Sequence, residues 1–283
     1  MHSMSGTYRA LIVGGSGEAG QSAVAAVKRY CAQANRTPEI IATTSRAKDV
    51  EGANRTFSKV DLTGDDAFAP VIQALQDQAI DLIVYTPARG NIGFPIASTT
   101  EADLEFGMNF SFNPMVELEA KLNPGLIVGY SAFYWMEHLQ KAYGSMGYVK
   151  KRMEEWAIDA PEKRKMIRAG IFYSSSTRAS ALFVKRRLKK ETGPDIDELR
   201  ARIDAYDGSL EDFTLQAGRD FEKTEYGPKF PGSEYRPTVR EDLENALFTI
   251  LAEKIPEPLY CVVGGWAWTE SKIPELPDYF NRF

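Results

Sequence analysis

The segment Leu11-Ile12-Val13-Gly14-Gly15-Ser16-Gly17-Glu18-Ala19-Gly20 limits the possible folds more than any other part of this chain. Gly15, Gly17 and Gly20 give the spacing G-x-G-x-x-G. A mostly apolar run at 8–13 precedes it and predicts a strand. Residues 18–33 follow with Ala19, Val24, Val27, Tyr30 and Cys31 on one helical stripe. In such a loop the first glycine allows a tight turn, and the second lets backbone approach a pyrophosphate. The third lets helix and strand pack closely. Amides at the helix start then face the phosphates. With a strand before it and a helix after it, the spacing reads as a dinucleotide-binding loop; a purely structural glycine turn is the alternative.

The rest of the chain repeats the alternation. Strands are expected at 40–42, 56–60, 81–85, 125–130, 166–172 and 259–263, and helices at 70–78, 101–120, 143–158 and 240–255. Pro114 predicts a kink or break in the 101–120 helix. Residues 178–240 read as a charged, irregular insertion rich in turn formers near its end. Short apolar strands between helices predict an α/β fold, a Rossmann-type doubly wound parallel sheet covered on both faces. No repeat or long linker divides residues 1–283, so one nucleotide-binding domain with an insertion at about 178–240 is expected.

Composition removes several classes. A net charge of -5 gives no electrostatic reason to expect nucleic acid or an anionic membrane. Two cysteines and two histidines supply neither a disulfide framework nor a metal cluster. The first unbroken apolar run, 10–13, is far below a signal or membrane segment. A reducing, cytoplasmic setting is the expectation that follows.

The nucleotide can be read further. After the second expected strand comes Thr43-Thr44-Ser45-Arg46, where a site for NAD(H) usually places an acidic residue on the ribose. Arg46 instead suits a 2′-phosphate, which favours NADP(H), with NAD(H) still possible. A solvated surface arginine is the other reading. Asp61 and Leu62 fall where an adenine edge and ring would lie, although Asp61 equally suits a helix cap. Thr86, Pro87 and Ala88 follow the strand at 81–85, at the sheet edge where the nicotinamide half would pass.

These residues carry a resemblance. The glycine loop, Asp61-Leu62-Thr63, the strand and turn at 81–90, Ser131, the 143–158 helix and Leu259-Tyr260-Cys261-Val262-Val263-Gly264-Gly265 together resemble the short-chain dehydrogenase/reductase superfamily. That resemblance spans almost the whole chain. Most members carry Tyr-x-x-x-Lys, but Met146 stands four residues before Lys150, and Tyr148 is followed four residues on by Arg152. The pattern present is Tyr143-Gly144-Ser145-Met146-Gly147-Tyr148-Val149-Lys150. Its Tyr-x6-Lys spacing and internal Met-Gly pair are similar to the enoyl-acyl-carrier-protein reductase branch.

The resemblance implies NADPH-preferring reduction of the carbon–carbon double bond of an enoyl thioester. Tyr143 would stabilise the charge growing on the thioester oxygen, and Lys150 would hold the nicotinamide ribose. Tyr134, or else Tyr130, is the expected assisting tyrosine. Ser131 is expected to assist a carbonyl, bind substrate or only satisfy the strand end. Thr177 is the expected contact to the nicotinamide carboxamide. Residues 179–183 would cover an acyl chain, and the basic stretch 185–190 would receive the phosphates of coenzyme A or an acidic carrier protein. A homotetramer or homodimer through the 101–120 and 143–158 helices is also implied, with Phe106, Phe110, Phe112 and Trp156 as apolar material. The competing functions are a carbonyl reductase or alcohol dehydrogenase using Ser131 with Tyr143, and a non-catalytic NADP-binding regulatory protein.

Overall fold

The computed structural model describes residues 6–64, 66–190 and 192–283. Seven parallel strands run β1 (Thr7–Val13), β2 (Thr37–Thr43), β3 (Arg55–Phe57), β4 (Leu82–Tyr85), β5 (Leu126–Ala132), β6 (Arg164–Ala169) and β7 (Leu259–Val263). An eighth, β8 (Trp266–Glu270), turns back antiparallel to β7. The spatial order β3-β2-β1-β4-β5-β6-β7-β8 is that of a doubly wound Rossmann-type sheet. Its order reverses between β1 and β4, so the chain ends of these strands leave a crevice there.

Strand side chains alternate between two helical layers. Ala10, Ile12, Val84, Val128 and Ile167 pack on one side, under α1 (Glu18–Gln33) and α10 (Arg240–Glu253). Leu11, Val13, Ile83, Ile127 and Met166 pack on the other. That second layer holds α2 (Ala69–Leu75), α3 (Glu101–Ser111), α4 (Asn113–Leu122) and α6 (Met146–Asp159). Phe112 and Trp156 meet edge to face in it, 5.9 Å apart, so both are core residues.

Several expectations need correction. Of the kink or break expected at Pro114 the structure has the break: 101–120 forms two helices, because Phe112 leaves helical geometry just before Pro114 sets the new first turn. The 143–158 helix starts only at Met146, since Gly144 has φ +49° and ends the preceding turn. A short helix, α5 (Glu137–Gln140), precedes it. Most of 178–240 is helical: α7 (Ser175–Lys190), α8 (Pro194–Asp204) and α9 (Leu210–Tyr226). Short turns join these helices, and the Gly/Pro-rich stretch that follows the 3-10 turn Gly227–Lys229 is irregular.

A buried polar cluster joins sheet and helix. Glu154 of α6 accepts four hydrogen bonds: from Arg168 Nε at 2.9 Å and Nη2 at 2.7 Å, Ser131 Oγ at 2.6 Å and the Tyr134 hydroxyl at 3.1 Å. Arg168 and Glu154 are both fully buried. Arg168 also reaches Glu270 of β8, and its guanidinium lies 4.6 Å from the Trp135 ring. Two buried charges are tolerated because each is answered in full. Removing one strands the other, at about 3–5 kcal/mol. Urea unfolding of Arg168→Ala should therefore show a loss of that order, and a loss under about 1 kcal/mol would contradict the role given to the pair.

Candidate functional site

The glycine loop is shaped by its neighbours. The Gly14 backbone has φ +77°, and a Cβ there would lie 2.6 Å from Thr86 Oγ1. Thr86 in turn donates through that oxygen to the Val13 carbonyl at 2.8 Å, tying β4 to the loop. Pro87 packs on the same glycine. A Cβ on Gly20 would stand 2.3 Å from the Gly14 carbonyl oxygen, so helix and loop touch there. Gly17 differs. A Cβ on it would meet only the Gly14 oxygen, at an ordinary 3.7 Å. Nothing in the fold requires glycine at 17, and the space in front of it is open.

No side chain caps α1, so its first amides face that space unshared. Glu18 pairs with Arg240 at 2.6 Å, which leaves its amide as its contribution to the loop. The Gly15 amide donates to the Thr43 carbonyl, and Ser16 Oγ lies 2.9 Å from Thr44 Oγ1. The same Thr44 oxygen accepts the Arg46 amide at 3.1 Å, and Ser45 and Arg46 are exposed beyond β2. Asp61 is exposed and accepts from the Thr63 amide and hydroxyl, which hold its carboxyl below the usual carboxylate range. Leu62 is half-buried against the core.

A cleft of about 1080 Å³ begins at this loop and runs past the ends of β4, β5 and β6. Gly17, Glu18, Ala19, Thr86 and Ala88 line its first part, and Ser131, Tyr143 and Lys150 its middle. Tyr143 and Lys150 thus line the same cleft although Tyr143 precedes α6. Lys150 is buried and donates to the Tyr130 carbonyl at 2.6 Å; burial lowers its ammonium to about 8, opposed by Glu154 one turn on. Burial raises the Tyr143 hydroxyl to about 12, so it stands as a donor at neutral pH. Ser131 spends its proton on Glu154.

Tyr134 is not brought to the cleft. It is fully buried beside Phe280, with its hydroxyl committed to Glu154. Tyr130 does line the cleft, although its ring is buried in the core under α1 and α10. Tyr148 donates to the Tyr279 carbonyl at 2.6 Å, in a cluster closed by Phe280. Asn113 and Asn109 bond each other on the surface. The Thr177 side chain lies outside the described residues, as do those of Ala179, Ser180, Phe183, Val184 and Arg187. Lys185, Arg186, Lys189 and Lys190 are exposed on α7.

The far wall contains residues that sequence reasoning missed. Glu222 of α9 is buried, accepting from the Ile171 amide and, at 2.8 Å, from the Tyr235 hydroxyl. One turn earlier, Gly218 lets α9 close onto Ile171 and His138. Burial lowers His138 to about 4, leaving it neutral. The only available signals were an isolated Glu and Gly in a charged segment, which carry no pattern.

No protein-family model matches the chain, and no match is found among curated proteins. Solved structures resemble it in fold. Levodione reductase superposes with a TM-score of 0.61 at 12% identity, covering 91% of this chain and 96% of that one. YwfH, an NADPH-dependent reductase involved in bacilysin biosynthesis, gives 0.59 at 9%, covering 93% and 99%. An NADP-bound 3-oxoacyl-(acyl-carrier-protein) reductase from Agrobacterium tumefaciens gives 0.53 at 13%, covering 92% and 94%. At such identities the likeness is one of fold. Among the described residues no group of His, Cys, Asp and Glu is placed to hold a metal, and no helix is long and apolar enough to cross a membrane.

Burial lifts the Glu222 carboxyl from 4.5 to about 7, so the folded form holds its proton more tightly than the unfolded chain. The stability from protonated Glu222 is full below pH 4.5 and is lost as pH rises to about 7. At about 1.4 kcal/mol per pH unit the change amounts to about 3 kcal/mol. Urea unfolding between pH 4.5 and 8 should show this decline in the native chain and a flatter profile in Glu222→Gln. Identical profiles would contradict the assignment.

Proposed function

We propose that the chain is an NAD(P)H-dependent reductase of short-chain dehydrogenase/reductase type that prefers NADP(H), and that it reduces the double bond of an enoyl thioester. The observation that carries this reading is the single cleft joining the open face of Gly17 to Tyr143 and Lys150. The fit of a dinucleotide rests on the unfilled space at Gly17 and the uncapped α1 amides. Gly14, Gly15, Ser16, Gly17, Glu18, Ala19 and Gly20 would hold the pyrophosphate. Ser45, Arg46, Asp61 and Leu62 would hold the adenosine end; Thr86, Pro87, Ala88 and Thr177 the nicotinamide end. When bound, the cofactor supplies a hydride.

The chain's own residues do the rest. Lys150 is held by the Tyr130 carbonyl against the cleft wall and keeps positive charge there below about pH 8. Tyr143 offers a hydroxyl to the substrate oxygen on which negative charge develops. The oxygen of a thioester is one such atom. Ser131 favours the enoyl reading over carbonyl reduction by a serine–tyrosine pair, because its proton is already given to Glu154. The carbonyl reading retains the support of the names of two fold neighbours, levodione reductase and 3-oxoacyl-(acyl-carrier-protein) reductase. The exposed cations Lys185, Arg186, Lys189 and Lys190 suit the phosphates of coenzyme A or an acidic carrier. A homodimer or homotetramer, a cytoplasmic location and one nucleotide-binding domain over 1–283 belong to the same reading.

Two experiments test it. Turnover of crotonyl and ketoacyl thioesters with NADPH separates the two reductases, and tight NADPH binding without turnover of either favours the regulatory protein. With the active substrate, Tyr143→Phe should lower the rate of hydride transfer at least tenfold, about 1.4 kcal/mol of transition-state stabilisation, while cofactor affinity holds. Tyr148→Phe should keep most activity, since its hydroxyl serves Tyr279. The reverse pattern would overturn the role of Tyr143. For the cofactor, Arg46→Ala should weaken NADPH more than NADH; equal losses would remove Arg46 from 2′-phosphate recognition.

A further inference from the structure

Four residues other than glycine have positive φ among the described residues: Asn35, Lys59, Asn123 and Lys254. Asn123 and Lys254 terminate α4 and α10, and Asn35 follows the end of α1, where a left-handed residue closes a helix. Lys59 ends no helix. It sits two residues past β3 with φ +59°, a conformation that disfavours a side chain with no local hydrogen bond to offer. That conformation aims its amide at the Arg46 carbonyl, 3.1 Å away.

The surrounding backbone is zipped together. The Thr44 amide donates to the Phe57 carbonyl and the Val60 amide to the Thr44 carbonyl, extending the β2–β3 pairing past both strands. Arg46 and Lys59 are therefore exposed side by side at the same end of the sheet. Neither is paired with a carboxylate among the described residues. Asp61, the nearest acid along the chain from Lys59, is occupied by Thr63. The glycine loop joins this corner directly: Ser16 Oγ meets Thr44 Oγ1, which accepts the Arg46 amide.

We propose that Lys59 is a specificity-determining residue that, with Arg46, clamps a phosphate monoester on a nucleotide whose pyrophosphate lies on the glycine loop. The inference rests on the nucleotide reading given above and adds a second cation, contributed by the end of β3. A phosphate dianion gains from two cations that cannot quench each other and are brought together by backbone rather than by a carboxylate. Glycine would hold the turn without strain, so a glycine variant isolates the lysine side chain from the turn's geometry.

The test measures the dissociation constants of 2′-phospho-ADP-ribose and ADP-ribose, which need no turnover, and those of NADPH and NADH. Lys59→Gly deletes the charge while keeping the backbone free to adopt the turn, and Lys59→Arg restores a cation. Lys59→Gly should weaken the two 2′-phosphorylated ligands about tenfold and the other two less than about twofold, with recovery in Lys59→Arg. Unchanged selectivity in Lys59→Gly, with tight NADPH binding in the native chain, would overturn the role of Lys59 alone. Failure of the native chain to bind any of the four ligands would overturn the nucleotide reading as well.

Discussion

The bidentate pair between Arg168 and Glu154 is the contact on which the geometry of the cleft depends. Arg168 comes from the middle of the sheet and Glu154 from the helix laid across it, so the pair fixes α6 against β6. Ser131 and Tyr134 join the same carboxylate and bring the end of β5 into register with that helix. Lys150 lies one turn before Glu154, and its ammonium reaches the Tyr130 carbonyl only because helix and strand are locked at this spacing. A charge pair in a dry core costs desolvation, and it holds here because every oxygen of Glu154 is engaged. Its effect is one of position: a hydrophobic contact would let α6 slide, whereas a forked guanidinium on a carboxylate admits one arrangement.

The glycine loop imposes a second constraint, at the other end of the cleft. Three of its four glycines are crowded by the protein itself: Gly14 by its backbone angle and Thr86, Gly15 by Ala42 and Val50, and Gly20 by contact with Gly14. Gly17 is crowded by nothing closer than the Gly14 oxygen, at 3.7 Å. Steric bookkeeping thus separates the glycines that build the turn from the one that leaves room in front of it.

Much of this was legible in the sequence because local patterns were strong. The loop at 14–20 and the apolar strands at 8–13 and 81–85 specify themselves over short distances. Arg46 could be placed at the end of the second strand by counting. Other features depend on partners far along the chain. Nothing near Glu154 announces that Arg168 will meet it, and Ser131 reads as a free hydroxyl until that carboxylate is found. Tyr143 and Lys150 read as two sites on one helix, yet Gly144 has φ +49° and the helix starts only after it, at Met146; both residues line the cleft. The charged stretch 178–240 looked irregular because its helices are polar on most faces and bury few residues. Trp266–Glu270, which pairs antiparallel with β7, does not read as a strand because two glycines precede it and its Glu270 is answered by Arg168 in another element.

Both cysteines end up in the interior. Cys31 is on the buried face of α1 and Cys261 lies beside Arg168, and burial lifts their thiols to about 11 and about 12. Neither presents a thiolate to a reagent in neutral solution. The native chain is therefore a silent background for maleimide chemistry. A single cysteine introduced in place of exposed Leu182, on α7, would be the one thiol available for a dye. Its emission would report α7, which packs against the cleft-lining α9, without replacing any residue that lines the cleft.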